Sequence, residues 1–288
     1  MGFGQSSLLP AVQYEPCIDV MDQAGRRFEA MLMLGGYIPC IKGTVSASNV
    51  LDATGDDLLG HHFEVHGKLA TINPGPPAVN NLPAVQLAAL KYKVVGPDHA
   101  AMDEGLLLLM QMQGGPNWVQ PGPISDVSGH WMGDYQSGVG PGGGCIGMDL
   151  KGVYQPPPNG DFAPTLTSAF GGSMHMDHVY VPAVQSFFDV FFDVQGTVGS
   201  PVAAPDGPPI APIALIGMSP PPNGDRPGII AILIGLLLPP PTGDRPPTIS
   251  GGYALYGSFF DVFTEVWTGK MHSFDMGSAH LMFEPNNG

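Results

Sequence analysis

Basic residues are scarce. Ten Lys and Arg stand against twenty-five Asp and Glu, a formal net charge of −15. The ten are scattered between Arg26 and Lys270 and form no run. Nucleic-acid binding rests on neutralising phosphates with clustered cations, so this distribution argues against a nucleic-acid partner. It argues equally against attachment to an anionic membrane surface. Charge of either sign is also thin. Charged residues make up 12 % of the chain, about half the usual quarter. A surface this poor in charge is one expected to be covered by neighbouring copies in an assembly.

Cysteine is nearly absent. Cys17, Cys40 and Cys145 are each followed by Ile, and no Cys-x-x-Cys occurs. Zinc-ribbon, thioredoxin-like and haem-attachment chemistry are therefore excluded. Either one disulfide and a free thiol, or three small buried hydrophobes, remains. The longest apolar run, Gly228–Leu238, is too short to span a bilayer as a helix. The first basic residue is Arg26, and the apolar stretch before it is too short for a signal-peptide core. Export would require a leader already removed or another route. Gly-x-Ser-x-Gly, His-Glu-x-x-His and an EF-hand loop are missing. The Gly-rich stretch Gly138–Gly144 lacks the Lys-Ser/Thr of a phosphate-binding loop.

Glycine (41) and proline (32) are abundant, while hydrophobic residues reach 43 %. That combination fits short strands joined by turns rather than disorder. The clearest signal is an internal repeat. Residues 186–194 read Ser-Phe-Phe-Asp-Val-Phe-Phe-Asp-Val, and residues 258–266 read Ser-Phe-Phe-Asp-Val-Phe-Thr-Glu-Val. Alternation predicts a strand in both copies. Phe188, Val190, Phe192 and Val194 share one face of the first. Phe260, Val262, Thr264 and Val266 share the corresponding face of the second. The more apolar face, with Phe188, Val190, Phe260 and Val262, is expected to enter the core.

Further strands are expected at Phe28–Leu34, Ile41–Val50, His61–Ile72, Val85–Val95, Leu106–Gln113, Cys145–Tyr154, Ile213–Met218 and Gly228–Leu238. Residues 1–27 read as an extended lead-in. Residues 114–144 read as a long Gly/Pro loop holding Trp118 and Trp131, a contact arm at the boundary between halves. A Pro-Pro-Pro-Asn/Thr-Gly-Asp phrase recurs at 156–161, 220–225 and 239–244, where proline triplets and positive-φ glycine make turns. No long stretch shows a 3.6-residue period. These features predict an all-β fold of antiparallel, sandwich-like sheets. The expected domains are 1–144 and 145–288, the latter built from two related units, about 145–202 and 213–285.

The Ser-Phe-Phe-Asp-Val-Phe motif, preceded by a strand such as Ile146–Gly152 and followed by Gly269-Lys270-Met271-His272-Ser273-Phe274, resembles repeat units of large, uncharacterised, secreted bacterial β-rich proteins. The resemblance covers residues 145–288. It implies an extracellular setting and a repeated β unit, and it transfers no catalytic residue.

Candidate chemistry is sparse. His62, Glu64 and His66 share one strand face, a spacing that suits nitrogen and oxygen ligands to a metal or a solvated polar face. His175, Asp177 and His178 are accompanied by Met174 and Met176 on either side of His175, a soft-metal composition or ordinary packing. Asp189, Asp193, Asp261 and Glu265 would gather if the two repeats paired, and would then suit Ca²⁺. Trp118, Trp131, Tyr135 and Trp267 would make a sugar platform or packing anchors. The function these features favour is an extracellular, non-enzymatic structural protein. It would self-assemble into a filament or layer, with Trp118, Trp131, Ile229, Ile230, Leu236 and Leu237 at the interface. A carbohydrate-binding module and a metal-dependent enzyme built on His62, Glu64 and His66 are the alternatives. No cofactor is expected, with Ca²⁺ the one ion the carboxylates suit.

Overall fold

The computed structural model describes residues 2–7, 13–14, 16–72, 85–112, 127–153, 167–199, 202–204, 207–219, 228–238 and 246–285. The fold is all-β with antiparallel sheets, as the alternating patterns predict, and one helix stands among the described elements. The chain divides into two compact units. One comprises Met1–Thr71, Gln86–Gln111 and Phe260–Met271; the other comprises Ile72–Val85, Met112–Phe259 and His272–Gly288.

The first unit holds a nine-stranded sheet. Its strands are β1 (Gly2–Ser6), β2 (Gln13–Tyr14), β3 (Cys17–Ala24), β4 (Arg27–Met33), β5 (Cys40–Val45), β6 (Val50–Asp56), β7 (His62–Ile72), β8 (Val85–Val95) and β9 (Ala101–Met112). They run in the order β2-β1-β9-β8-β7-β6-β5-β4-β3. The expected lead-in is therefore largely strand. Alternation sets the buried face: Phe63 and Val65 of β7, and Leu90, Tyr92 and Val94 of β8, join Leu32, Ile41, Leu107 and Leu109 in one core.

The second unit is a closed barrel of eight strands. These are β10 (Gly129–Ser137), β11 (Gly143–Val153), β12 (Thr167–Val181), β13 (Ser186–Gly199), β15 (Gly207–Met218), β16 (Ile230–Leu238), β17 (Thr248–Tyr256) and β18 (Asp275–Glu284), with a short β14 (Val202–Ala204) beside β15. Closure comes from β13 pairing with β15 over Asp193–Val198, and from β10 pairing with β18. Trp131, Phe170, Phe192 and Tyr253 are among the large side chains that fill the interior. Gly129–Ser137, within the expected 114–144 loop, is thus the strand β10. Its alternation of Trp131 and Tyr135 inward with Met132 and Asp134 outward is diluted by glycine. Because β10 pairs on both sides within the barrel, the division of the chain falls well before residue 145.

The two units share a plan. In each, a meander of seven strands ends beside the strand that opened the unit: β9 beside β1, and β18 beside β10. At that junction the chemistry repeats. Ser6 donates to Asp103 Oδ1 (2.6 Å) and the Tyr92 hydroxyl to Oδ2 (3.0 Å). Ser137 donates to Asp275 Oδ1 (2.5 Å) and the Tyr253 hydroxyl to Oδ2 (3.0 Å). Two residues after each aspartate, Gly105 and Gly277 lie opposite the serines. A Cβ there would stand 2.8 Å and 3.0 Å from the Tyr92 and Tyr253 rings. Gly-x-x-Gln-Ser (Gly2–Ser6 and Gly133–Ser137) and Asp-x-Gly (Asp103–Gly105 and Asp275–Gly277) are the traces left in sequence. The larger repeat is the whole meander, not the Phe-Phe-Asp-Val segment.

The second Phe-Phe-Asp-Val copy is not a strand. Phe259–Thr268 forms the helix α1. Phe259, Val262, Phe263 and Val266 are buried, while Phe260 is exposed. The spacing i, i+3, i+4, i+7 is a helical stripe. Ser258 stands at the N-cap position with Asp261 three residues on, the spacing of a capping box. At the other end Gly269 takes φ 71°. The Gly269 N–H donates to Val266 O (3.2 Å) and the Lys270 N–H to Glu265 O (3.1 Å), a Schellman closure.

Candidate functional site

The first Phe-Phe-Asp-Val copy is β13, and it forms the most unusual surface among the described residues. Its inner face follows the expected alternation, with Val190, Phe192 and Val194 buried in the barrel. Phe188 continues that face but lies beyond the end of β15, whose pairing with β13 stops at Asp193–Met218. It is therefore 45 % exposed, and the expected core role of Phe188 does not hold. Phe187 and Phe191 on the other face are 49 % and 63 % exposed. Among the described residues, Ser186–Phe192 pair only with β12, so one backbone edge of this segment has no strand beside it.

A β-bulge and a tight turn shape this hairpin. Register shifts between Met176 and Val179, where His178 takes φ 54°. The Tyr135 hydroxyl donates to Asp177 O (2.6 Å), the Cys145 N–H donates to the Asp177 carboxylate, and the His178 N–H donates to Asp189 Oδ1 (3.3 Å). These bonds hold the kink, which bends a strand locally and re-aims its side chains. Val181 and Ser186 close the hairpin through Gln185 at φ 51°. Aromatic contacts stiffen the outer face: His175 stacks on Phe191 at 4.3 Å, and Tyr180 meets Phe187 at 5.2 Å.

His62, Glu64 and His66 do lie on one face of β7, but each looks across to β6 rather than toward the others. Asp56, Thr54 and Asp52 are their direct cross-strand partners. His62 Nδ1 pairs with Asp56 at 2.8 Å, and His66 pairs closely with Asp52. His66 also packs against Trp267 of α1. Beside them Asp57 binds His61 at 2.7 Å. Burial alone would raise the Asp57 carboxyl. Hydrogen bonds from the His61 imidazole and from the His61 and Leu59 N–H groups outweigh it and hold the carboxyl below its usual range. Among the described residues, no three His, Cys, Asp or Glu side chains gather closely enough to hold a metal.

The carboxylate cluster does not assemble as expected. Asp189 and Asp193 are on a strand of the barrel, and Asp261 and Glu265 are on a helix of the other unit, so the sheet pairing that would have joined them does not form. Met174 and Met176, which flank His175 in sequence, point into the barrel. Trp131 and Tyr135 also lie inside it, so neither reaches a sugar or a neighbouring chain. Trp267 carries the Lys91 ammonium at 5.2 Å and accepts the Lys68 ammonium at its carbonyl (2.9 Å). Trp118 and the three Pro-Pro-Pro phrases lie outside the described residues. Of the apolar candidates on and just before β16, Ile230 and Leu237 are buried, and Ile229 and Leu236 are half-buried. The three cysteines are free thiols. Burial, then the neighbouring Glu29 carboxylate, raises Cys40; burial raises Cys17. Among the described residues, no helix is long and apolar enough to cross a membrane.

Sequence reasoning found β13 and its aromatic alternation. It missed that the segment outruns its neighbour, because strand ends depend on the length of a partner 20 or more residues away. No family model, curated protein or solved structure matches the chain.

Proposed function

We propose that the chain is a non-enzymatic structural protein that self-assembles into a filament or layer through β-edge and apolar contacts. The observation that carries this reading is the Ser186–Phe192 edge, which has no strand beside it among the described residues and displays Phe187, Phe188 and Phe191 to solvent. A strand edge with exposed aromatics is a template for pairing with another chain. A second edge supports it. β3 ends the nine-stranded sheet, pairs only with β4 among the described residues, and exposes Val20 and Met21. Two unlike edges on one chain permit a head-to-tail contact that repeats without closing.

Carboxylates mark both edges: Asp19 and Asp22 on β3, and on β13 Asp189 within the open segment with Asp193 just past it. Like charges so placed restrain pairing, and salt screens them beyond about 10 Å at 0.1 M. Added salt therefore strengthens the assembly. The extracellular setting rests on the resemblance to secreted β-rich proteins.

Sedimentation and electron microscopy across protein and salt concentrations test the reading. Oligomers that grow with salt, and that Phe187→Ser/Phe191→Ser abolishes while the fold is kept, are expected. A monodisperse monomer at every concentration and up to molar salt overturns the proposal.

A further inference from the structure

One row of outward side chains crosses five strands of the barrel. Register places Met282 of β18 opposite Met132 of β10, Met132 opposite Gly147 of β11, Gly147 opposite His175 of β12, and His175 opposite Phe191 of β13. Residues paired this way project from the same face. The flanking Trp131, Met148, Met174 and Phe192 all point inward, so this row lies outside.

Three details single out its centre. Gly147 leaves a gap between Met132 and His175, whose backbones are about 10 Å apart by two strand spacings. Into that gap leans the Met132 thioether: a Cβ on Gly147 would stand 2.9 Å from Sδ. On the other side the imidazole of His175 is fixed by its 4.3 Å stack on Phe191, and its buried Nε2 has no hydrogen-bond partner. A buried ring nitrogen without a partner is costly unless something satisfies it.

The geometry points to a binding site for a soft monovalent cation of the Cu(I) class, held by His175 Nε2 and Met132 Sδ over Gly147. Hard cations find no oxygen shell here, since no three His, Cys, Asp or Glu side chains converge among the described residues. Soft cations take thioether and imidazole ligands and need few of them. The sequence neighbours Met174 and Met176 are the wrong thioethers because they face the barrel interior. The sheet supplies another, from a residue 43 positions away in the chain.

Titration with Ag(I), an air-stable probe of the same softness, and with Cu(I) against a competing chelator tests the site. Free thiols also bind these ions, so the full chain carrying Cys17→Ser, Cys40→Ser and Cys145→Ser is used. One equivalent is expected to bind. The ¹³C-methyl resonance of Met132 should shift while those of Met174 and Met176 stay in place. Met132→Leu and His175→Asn should each weaken binding roughly tenfold or more, the range expected when a metal site loses a supporting group. Absence of binding in the cysteine-free chain, or binding that leaves the Met132 methyl unmoved, overturns the assignment. The methyl readout needs no further substitution and holds even where a variant unfolds. It is also independent of whether the chain polymerises.

Discussion

Asp103 and Asp275 are counterparts: each is buried and bridges the hydroxyl of a serine on the opening strand of its unit to the hydroxyl of a tyrosine on the penultimate strand. A buried carboxylate is tolerated because hydrogen bonds offset its desolvation. The backbone repeats with it, since the Ser7 N–H donates to Glu104 O (2.6 Å) and the Gly138 N–H to Met276 O (2.7 Å). The two junctions are thus one device used twice.

Removing either carboxylate should destabilise the protein to a similar degree. Asp103→Ala and Asp275→Ala each remove the carboxylate to which a serine and a tyrosine hydroxyl donate, at a cost of about 1–3 kcal/mol. Urea unfolding measures the loss. An effect under about 0.5 kcal/mol at one site would show that the two junctions are not equivalent.

Alkali should destabilise the barrel. Burial, then the Asp275 carboxylate, pushes both Tyr135 and Tyr253 well above the ordinary tyrosine value. A group whose folded pKa is raised contributes stability that is complete below the unfolded pKa and lost as pH rises beyond it. The loss should therefore begin near pH ~10, where tyrosine in the unfolded chain ionises. Stability followed from pH 8 to 12 checks this, and Tyr253→Phe should flatten the decline.

Facing on β13 predicts opposite outcomes at two phenylalanines of the same strand side. Phe192 is buried in the barrel and Phe188 is 45 % exposed. Phe192→Ala should cost about 3–5 kcal/mol, and Phe188→Ala less than about 1 kcal/mol. Equal losses would place the end of the barrel beyond Phe188.

The helix predicts its own pattern. Gly269→Ala forces a side chain into the left-handed region and should cost about 1–2 kcal/mol. Ser258→Ala should cost about 1 kcal/mol. Thr264→Phe, which restores the first copy at an exposed position, should be nearly neutral. If that last change is as damaging as Val262→Asp, residue 264 faces inward and the strand reading returns.

Much of the fold was legible. His61–Ile72 is legible from the alternation of Phe63, Val65 and Gly67 with His62, Glu64 and His66, and Val85–Val95 from the alternating stretch Leu90–Val95; β7 and β8 lie within a residue of those bounds. The strands β12, β17 and β18 were missed: their glycines and small polar residues weaken the alternation, while register and closure bury them anyway. Low basic charge, scarce cysteine and short apolar runs were likewise fixed by composition alone.

Other features were not determined locally. The nine residues Ser-Phe-Phe-Asp-Val-Phe-Phe/Thr-Asp/Glu-Val carry both periods at once. Positions 188, 190, 192 and 194 make a strand face; positions 259, 262, 263 and 266 make a helix stripe. In the first copy Phe192 rewards burial in the barrel, and β12 supplies a backbone ladder along the segment. In the second, Thr264 removes that aromatic, Glu265 favours the helix over aspartate, and the Ser258 and Gly269 positions suit its ends. Likewise, nothing in the sequence places Met132 beside Gly147, or Gly147 beside His175. Only strand register brings them into one row, because pairing joins residues by position along neighbouring strands and not by distance along the chain.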